Sequence, residues 1–374
     1  MNLIVKSCLI NNQAQLTSLF SENLFLTNSN FFLSENWLTV WLAHLPFPPI
    51  LVTVLDNQNN LVGAAIFCFS KLKKAGIFSH KKFFLNATGQ RVRDQIWIEY
   101  NDCFYLPEHE NAVKRALMHF IFDTLEANEI IIGTSSNLQL TAWQTASPYQ
   151  LQSSLFESQG YLVNLLKLRK GNQEYKDVLS KNTRYQINRS LKAFEAEFGK
   201  LTLIIATTAH EALHFFDSTA SWHKHRWQQS VEGSGFDNPY FVNFHRSLIE
   251  NAFAQQQIQY IKVVAGEHVL GYLYCFLYAN KVYFYLSSIN YAVEDNKFKP
   301  GVLMHFLAIQ HFEQQGVDSY DFLGGEARYK QSLSTETYQM SMLSFRKPSL
   351  LFAIEDKLRK LKKYCKKLGL NQPQ

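Results

Sequence analysis

Val52-Thr53-Val54-Leu55, a polar turn, then Leu61-Val62-Gly63-Ala64-Ala65-Ile66-Phe67-Cys68-Phe69 reads as strand, tight turn, strand. The pattern returns later. Ile261-Lys262-Val263-Val264 precedes Val269-Leu270-Gly271-Tyr272-Leu273-Tyr274-Cys275-Phe276, again with a glycine early in the second strand. Further on, Leu117-Met118-His119-Phe120 matches Leu303-Met304-His305-Phe306. Each of these opens an apolar helix and leads to a strand, over 129–133 in one case and 318–323 in the other. The two anchors stand 54 positions apart in the first copy (63 to 117) and 32 in the second (271 to 303), so the first copy carries about 22 extra residues. Two anchors in the same order imply two halves of like topology. The expected fold class is α/β (α+β), with mixed, mostly antiparallel sheets flanked by helices. The expected divisions are 1–170, 171–346 and a basic tail over 347–374.

The chain has 374 residues, 47% of them hydrophobic and 18% charged, a core-forming composition that excludes wholesale disorder. Net charge is +6, but nine basic and two acidic residues lie in 346–374, leaving 28 basic against 29 acidic elsewhere. The body is therefore neutral, which argues against a genome-binding role for the whole protein. The tail suits an anionic membrane face, RNA or an acidic partner, or is a solvated helix. The five cysteines (Cys8, Cys68, Cys103, Cys275, Cys365) are scattered and read as reduced thiols. No apolar run approaches a membrane span. The first residues lack a secretory leader, so the expected location is cytoplasmic.

His210-Glu211-Ala212-Leu213-His214 matches H-E-x-x-H, a zinc-protease pattern. Thr208 and Glu211 instead read as a capping box, which puts the motif in a helix's first turn. No third ligand follows, since Asp217 is too close on the same helix and Glu232 lies in a Gly-rich loop. No metal is expected. Ser180 through Lys192 reads as a helix carrying Lys181, Arg184, Arg189 and Lys192, either a ledge for an anionic ligand or a solvated face.

Trp222-His223-Lys224-His225-Arg226-Trp227, Gly235-Phe236-Asp237-Asn238-Pro239-Tyr240-Phe241, Lys299-Pro300-Gly301 and Asp321-Phe322-Leu323-Gly324-Gly325-Glu326-Ala327-Arg328-Tyr329-Lys330 follow one another in the second half. Together they resemble the GNAT-superfamily N-acyltransferases, in the cellulose-biosynthesis-type acetyltransferase branch related to FemAB-like transferases. Phe31-Phe32 with Trp37 and Trp41, and Trp97-Ile98-Glu99-Tyr100-Asn101, extend the likeness more loosely into the first half. The resemblance implies tandem GNAT-like domains and transfer of an acyl group from acyl-CoA to an amine. It sets the reaction in envelope or exopolysaccharide metabolism. The pyrophosphate signature Q/R-x-x-G-x-G/A is replaced by Glu294-Asp295-Asn296-Lys297-Phe298-Lys299-Pro300-Gly301, so a FemAB-like transfer from charged tRNA stands as the rival donor. A non-catalytic binding module is the rival from another class.

Acyl transfer from a thioester needs a grip on the donor, polarisation of the carbonyl and proton transfer. The helix opening at Pro300, Gly301 and Val302 offers free N–H groups to a diphosphate, with Lys297 and Lys299 adding positive charge. The matching place in the first half, Pro107-Glu108-His109-Glu110-Asn111, presents carboxylates, so the donor belongs to the second half. Within the GNAT likeness, the backbone at Leu286 and Ser287 polarises the carbonyl, and Tyr285 shares a face with Ser287 by period two. Glu326 is the candidate base, Tyr329 the acid for the thiolate and Lys330 the oxyanion partner, aligned with an F/Y-K lysine of FemAB-like enzymes. Asp321 is either catalytic or a buried partner of Arg328. His223, flanked by tryptophan, is a second base candidate titrating near neutrality.

Overall fold

Both hairpins form, and local chemistry fixes their turns. The computed structural model describes residues 3–12, 15, 19–20, 30–74, 78–149, 152–230, 233–292 and 295–348. Glu232, Glu294 and most of the basic tail lie outside them. In the first half, β1 (Ile4–Leu9), β2 (Ile50–Leu55), β3 (Leu61–Lys74) and β4 (Phe78–Leu85) form an antiparallel meander. The Asp56 carboxylate accepts the N–H groups of Gln58 (2.8 Å) and Asn60 (2.9 Å), which closes the β2–β3 turn. Short β5 (Phe104–Tyr105) pairs with β3, and β6 (Glu129–Ser136) and β7 (Gln152–Val163) follow. The second half repeats the plan with β8 (Leu201–Ile205), β9 (Ile258–Ala265), β10 (His268–Tyr278), β11 (Lys281–Ile289), β12 (Ser319–Gly324) and β13 (Glu336–Arg346).

The strands run β1-β2-β3-β4-β6-β13-β7-β12-β11-β10-β9-β8 in one continuous sheet. Only β4/β6 and β11/β12 are parallel among the described pairs, at corresponding places in the two halves. The centre is an exchange. β7, from the first half, pairs with β12, while β13, from the second, pairs with β6 and β7. Each half thus borrows the other's last strand.

Helices cover both faces. They are α1 (Glu35–Ala43), α2 (Arg91–Asp94), α3 (Glu110–His119), α4 (Asn137–Ala146), α5 (Leu165–Lys170), α6 (Tyr175–Val178), α7 (Lys181–Phe198), α8 (Ala209–Trp227), α9 (Pro239–Ala252), α10 (Pro300–Gln314) and α11 (Arg328–Leu333). On one face α1, α8 and α9 bury an aromatic core that runs across both halves. Phe31 stacks on Phe276 of β10 with ring centroids 4.1 Å apart, and Trp37 meets Phe244 of α9 edge-on at 4.9 Å. The opposite face carries separate cores, one under α3 and α4 and one under α7 and α10. No helix among the described residues is long and apolar enough to cross a membrane. The four described cysteines, Cys8, Cys68, Cys103 and Cys275, are thiols outside any disulfide.

The cap expected at α8 is present. Thr208 accepts the Glu211 N–H at 3.1 Å, and the Glu211 carboxylate reaches back to the Thr207 N–H at 2.8 Å. His210 and His214 therefore sit in the first two turns, and Asp217 is held by Arg246. Thr208→Ala should cost about 1 kcal/mol in a denaturant titration. An unchanged midpoint would show that the cap contributes nothing.

Candidate active site

The parallel ladder between β11 and β12 covers only Lys281–Tyr283 against Ser319–Asp321. Beyond Tyr283 the two strands share no ladder among the described residues, so the sheet opens there. A register shift in β11 at Tyr285 coincides with the opening, since Leu286 pairs with Tyr274 while Phe284 pairs with Cys275. The bulge resets the alternation. Tyr283, Tyr285 and Leu286 all pack toward the aromatic core, and the Ser288 hydroxyl bonds the Thr219 carbonyl of α8 on that same face. Ser287 consequently shares the opposite face with Ile289, toward α10. The expectation that Tyr285 and Ser287 share a face is corrected by this bulge.

Asp321 is fully buried where the strands part. Its carboxylate accepts the Leu323 N–H (2.8 Å), the Tyr338 hydroxyl (2.7 Å) and the Tyr100 hydroxyl, and pairs with Lys281 at 3.3 Å. Its cationic partner is therefore Lys281, not the exposed Arg328. Tyr338 reaches Asp321 because Gly160 on β7 has no side chain. A Cβ there would lie 2.3 Å from the Tyr338 ring.

Next along the chain, Lys330 is buried and donates to the carbonyls of Phe322 (2.8 Å) and Gly324 (2.6 Å). Burial pulls its ammonium down to about 8, against the opposing pull of Glu99 and Asp321. Glu99, from the first half, accepts the Gly324 N–H at 3.0 Å. Burial pushes its carboxyl up to about 7, against that hydrogen bond and Lys330. Protein surrounds Glu99, yet the residue keeps partial solvent exposure, as do Tyr100, Tyr285 and Tyr338. Glu99 was not a sequence candidate, although its segment carries part of the family likeness.

Toward the other face, α10 begins at the opening. Pro300 occupies its first turn, and Lys299, its N-cap, gives no side-chain cap, so the first N–H groups are left unpaired by side chains. A Cβ on Gly301 would approach Ile289 Cδ1 to 2.8 Å, so glycine lets the helix start press against the end of β11. Val302 is half-buried behind it. Tyr329 stacks on His305 of α10 with centroids 5.0 Å apart, and burial raises its phenol, keeping it protonated. Arg226 bonds the Tyr291 hydroxyl beside this helix start. The Lys299 N–H bonds Ser190 of α7 at 2.9 Å, and Lys297 leans on Asp295 and over the Phe298 ring.

Leu286, Ser287, Asp321, Tyr329, Lys330, Gly301 and Val302 thus gather around the opening, with Lys297 and Lys299 on the loop before α10. Glu326 is exposed, outside the network that joins Glu99, Asp321 and Lys330. His223 bonds Ser234 at 2.7 Å inside the aromatic core, and burial, then the nearby Arg226 charge, lower it to about 4. It is neutral at neutral pH, which corrects the expectation of a titrating base.

The corresponding opening of the first half, between β4 and β6, is closed. Asn101 donates to Leu85 O (2.7 Å) and Gly133 O (3.2 Å), and its own N–H bonds Thr134 O (3.0 Å). Beside the start of α3 a buried ion cluster forms. Lys114 is buried against Asp102 (3.0 Å) and Glu110 (2.9 Å), under Tyr105 and Trp143. Glu110 thereby answers its own lysine.

Residues 181–331 match the family model described as an acetyltransferase (GNAT) domain. No curated protein sequence matches the chain. The fold is similar to that of FemX, at a TM-score of 0.57 and 10% identity, covering 93% of this chain and 99% of that one. It is also similar to a conserved protein of unknown function from Bacteroides thetaiotaomicron, at a TM-score of 0.53 and 10% identity, covering 92% and 100%. The second half thus matches a GNAT acetyltransferase domain over 181–331, within a fold similar to that of FemX over nearly the whole length.

Proposed function

We propose that this protein is a cytoplasmic enzyme that moves an acyl group from acyl-CoA to an amine, by direct attack at the β11–β12 opening. The observation that carries the reading is the asymmetry between the halves. In the second the strand pair parts before the start of α10, while in the first Asn101 bridges the strands and Lys114 is buried with Asp102 and Glu110 beside the start of α3. In this reading, α10's first N–H groups and Lys297 and Lys299 hold the diphosphate. The bulged strand at Leu286–Ser287 faces the thioester carbonyl, and Tyr329 protonates the departing thiolate. Lys330 and Asp321 fix the end of β12. We further propose that 1–170 and 171–346 are tandem halves, with the first as scaffold and acceptor wall.

A second reading keeps the site but takes charged tRNA as donor. It is favoured by the exposed Lys181, Arg189 and Lys192 on α7, whose Ser190 touches the loop before α10. Arg184 does not join this ledge, because its guanidinium caps Asp177 O and Leu179 O at 2.8 Å each.

A thermal-shift panel of CoA, acetyl-CoA, longer acyl-CoAs and charged tRNA separates the readings. At 100 times Kd a donor adds about 2.7 kcal/mol, about 3 °C for a chain of this size. Lys297→Glu/Lys299→Glu should abolish the CoA response and leave the unliganded midpoint nearly unchanged. A response to tRNA alone would transfer the function to the second reading. No response to any donor would leave a binding module.

A further inference from the structure

Most of the first half's extra residues fall in one place. From the end of β4 at Leu85 to the start of α3 at Glu110 is 25 positions, whereas from Ile289 to Pro300, the equivalent stretch, is 11. The insertion carries 96–101 across to the other half's opening. Tyr285 of β11 donates its hydroxyl to Ile96 O at 2.6 Å, and His245 Nε2 lies 3.0 Å from that hydroxyl. Asn238 holds Val92 O and Gln95, Asn30 holds Tyr100 O at 3.1 Å, and Tyr100 reaches Asp321. Trp97 (φ 43°) and Tyr100 (φ 52°) take left-handed backbone, as does Leu323 (φ 60°) opposite them. Bulky residues hold such conformations only where surrounding bonds over-determine them. The group so positioned between Trp97 and Tyr100 is Glu99.

Resting on the acyl-transfer reading above, we propose that Glu99, contributed by the first half, takes the proton from the acceptor amine at the second half's opening. Its carboxylate removes one proton from the acceptor ammonium. The nitrogen lone pair then forms the N–C bond at the thioester carbonyl, and the C–S bond breaks with its electron pair on sulfur. The second nitrogen proton ends on the thiolate. The net reaction releases one proton, which Glu99 passes to solvent. Glu99 faces Lys330 of α11, Asp321 of β12, Tyr285 of β11 and Tyr338 of β13. Asp321 is saturated by four partners and Lys330 is tied to two carbonyls, so Glu99 is the carboxylate there with capacity to spare. A base in this role works best with an affinity for protons near the operating pH.

The test uses the full chain and acetyl-CoA, with thiol release followed against water, glycinamide and glucosamine as probe acceptors. Glu99→Gln should lower thiol release about 10²–10⁴-fold. The acetyl-CoA midpoint shift should stay intact, and the rise in rate with pH through about 7 should disappear. Glu99→Asp should restore part of the rate. A Glu99→Gln enzyme with the wild-type rate and pH profile would overturn the proposal. A wild-type protein that neither binds nor cleaves acetyl-CoA would overturn the donor reading instead. A second arm does not depend on the donor. In a ¹³C-carboxyl-labelled chain, the glutamate resonance missing from Glu99→Gln should titrate near 7 and move upward in Lys330→Met, which removes the neighbouring charge. Titration in the ordinary carboxylate range, about 4.3, would overturn the proposal whatever the donor.

Discussion

Glu129→Gln should cost about 3–5 kcal/mol of folding stability, read as a lowered urea midpoint. Glu129 is buried on β6 and meets Arg346 Nε (3.2 Å), His80 Nε2 (3.1 Å), Lys82 Nζ (2.9 Å) and the Ser344 hydroxyl. Two of these partners belong to β13, so the cluster rivets the second half's last strand into the first half's sheet. Removing the charge takes away the anion that Arg346, His80 and Lys82 share in this buried place. Burial alone would raise the Glu129 carboxyl, but bonds from His80, Ser344 and Lys82 outweigh it and hold the group well below its usual range. The sign follows. Its contribution is complete above the unfolded value of about 4.3 and falls away as pH drops below it. The wild type should therefore lose stability on acidification more steeply than Glu129→Gln does. Glu129→Leu/Arg346→Met should recover part of the loss, because the two most buried charges of the cluster are removed together. A single variant with the wild-type urea midpoint and acid profile would show that the cluster is idle.

Lys114→Met should be comparably destabilising, about 3–5 kcal/mol, with the CoA response unchanged. Lys114 is fully buried, and the carboxylates of Asp102 and Glu110 hold its ammonium charged. Without it, Asp102 keeps only the Cys103 and Trp143 N–H groups in a fully buried site, where burial raises its carboxyl. Asp102 can escape by taking up a proton, so the defect should deepen as pH rises and shrink in acid. Denaturation across pH 4–8 reads this directly. If the variant loses the CoA response while folded, the first half holds the donor and the assignment of roles is reversed.

The repeat was legible because hairpins and helix starts are written locally. Gly63 and Gly271 mark the same strand position, and Thr208 with Glu211 announces a helix start whatever surrounds it. On that ground the H-E-x-x-H pattern reads as a capped helix start. The bulge at Tyr285 was not legible, because a strand with one extra residue has the same composition as one without. Period-two counting therefore put Ser287 on the wrong face. His223 misled for a related reason. Its tryptophan neighbours are visible in sequence, but the Phe236 and Ser234 that enclose it arrive from a later loop. Glu99 had a faint signal, since about 22 residues inserted into one copy of a repeat need a purpose.

Local patterning, acting over a few residues, settled the elements, their order, the duplication and the neutral body with its basic tail. Those properties depend on turn chemistry and apolar period, which the chain carries in itself. Contacts between distant segments settled the rest. The exchange of β7 and β13, the union of two sheets into one, the closing of the first opening by Asn101 and the crossing of Glu99 to Gly324 each join groups that local patterns cannot bring together. Such pairs form because a buried N–H, carboxylate or ammonium must find a partner somewhere in the folded chain, and which partner it finds is fixed by packing.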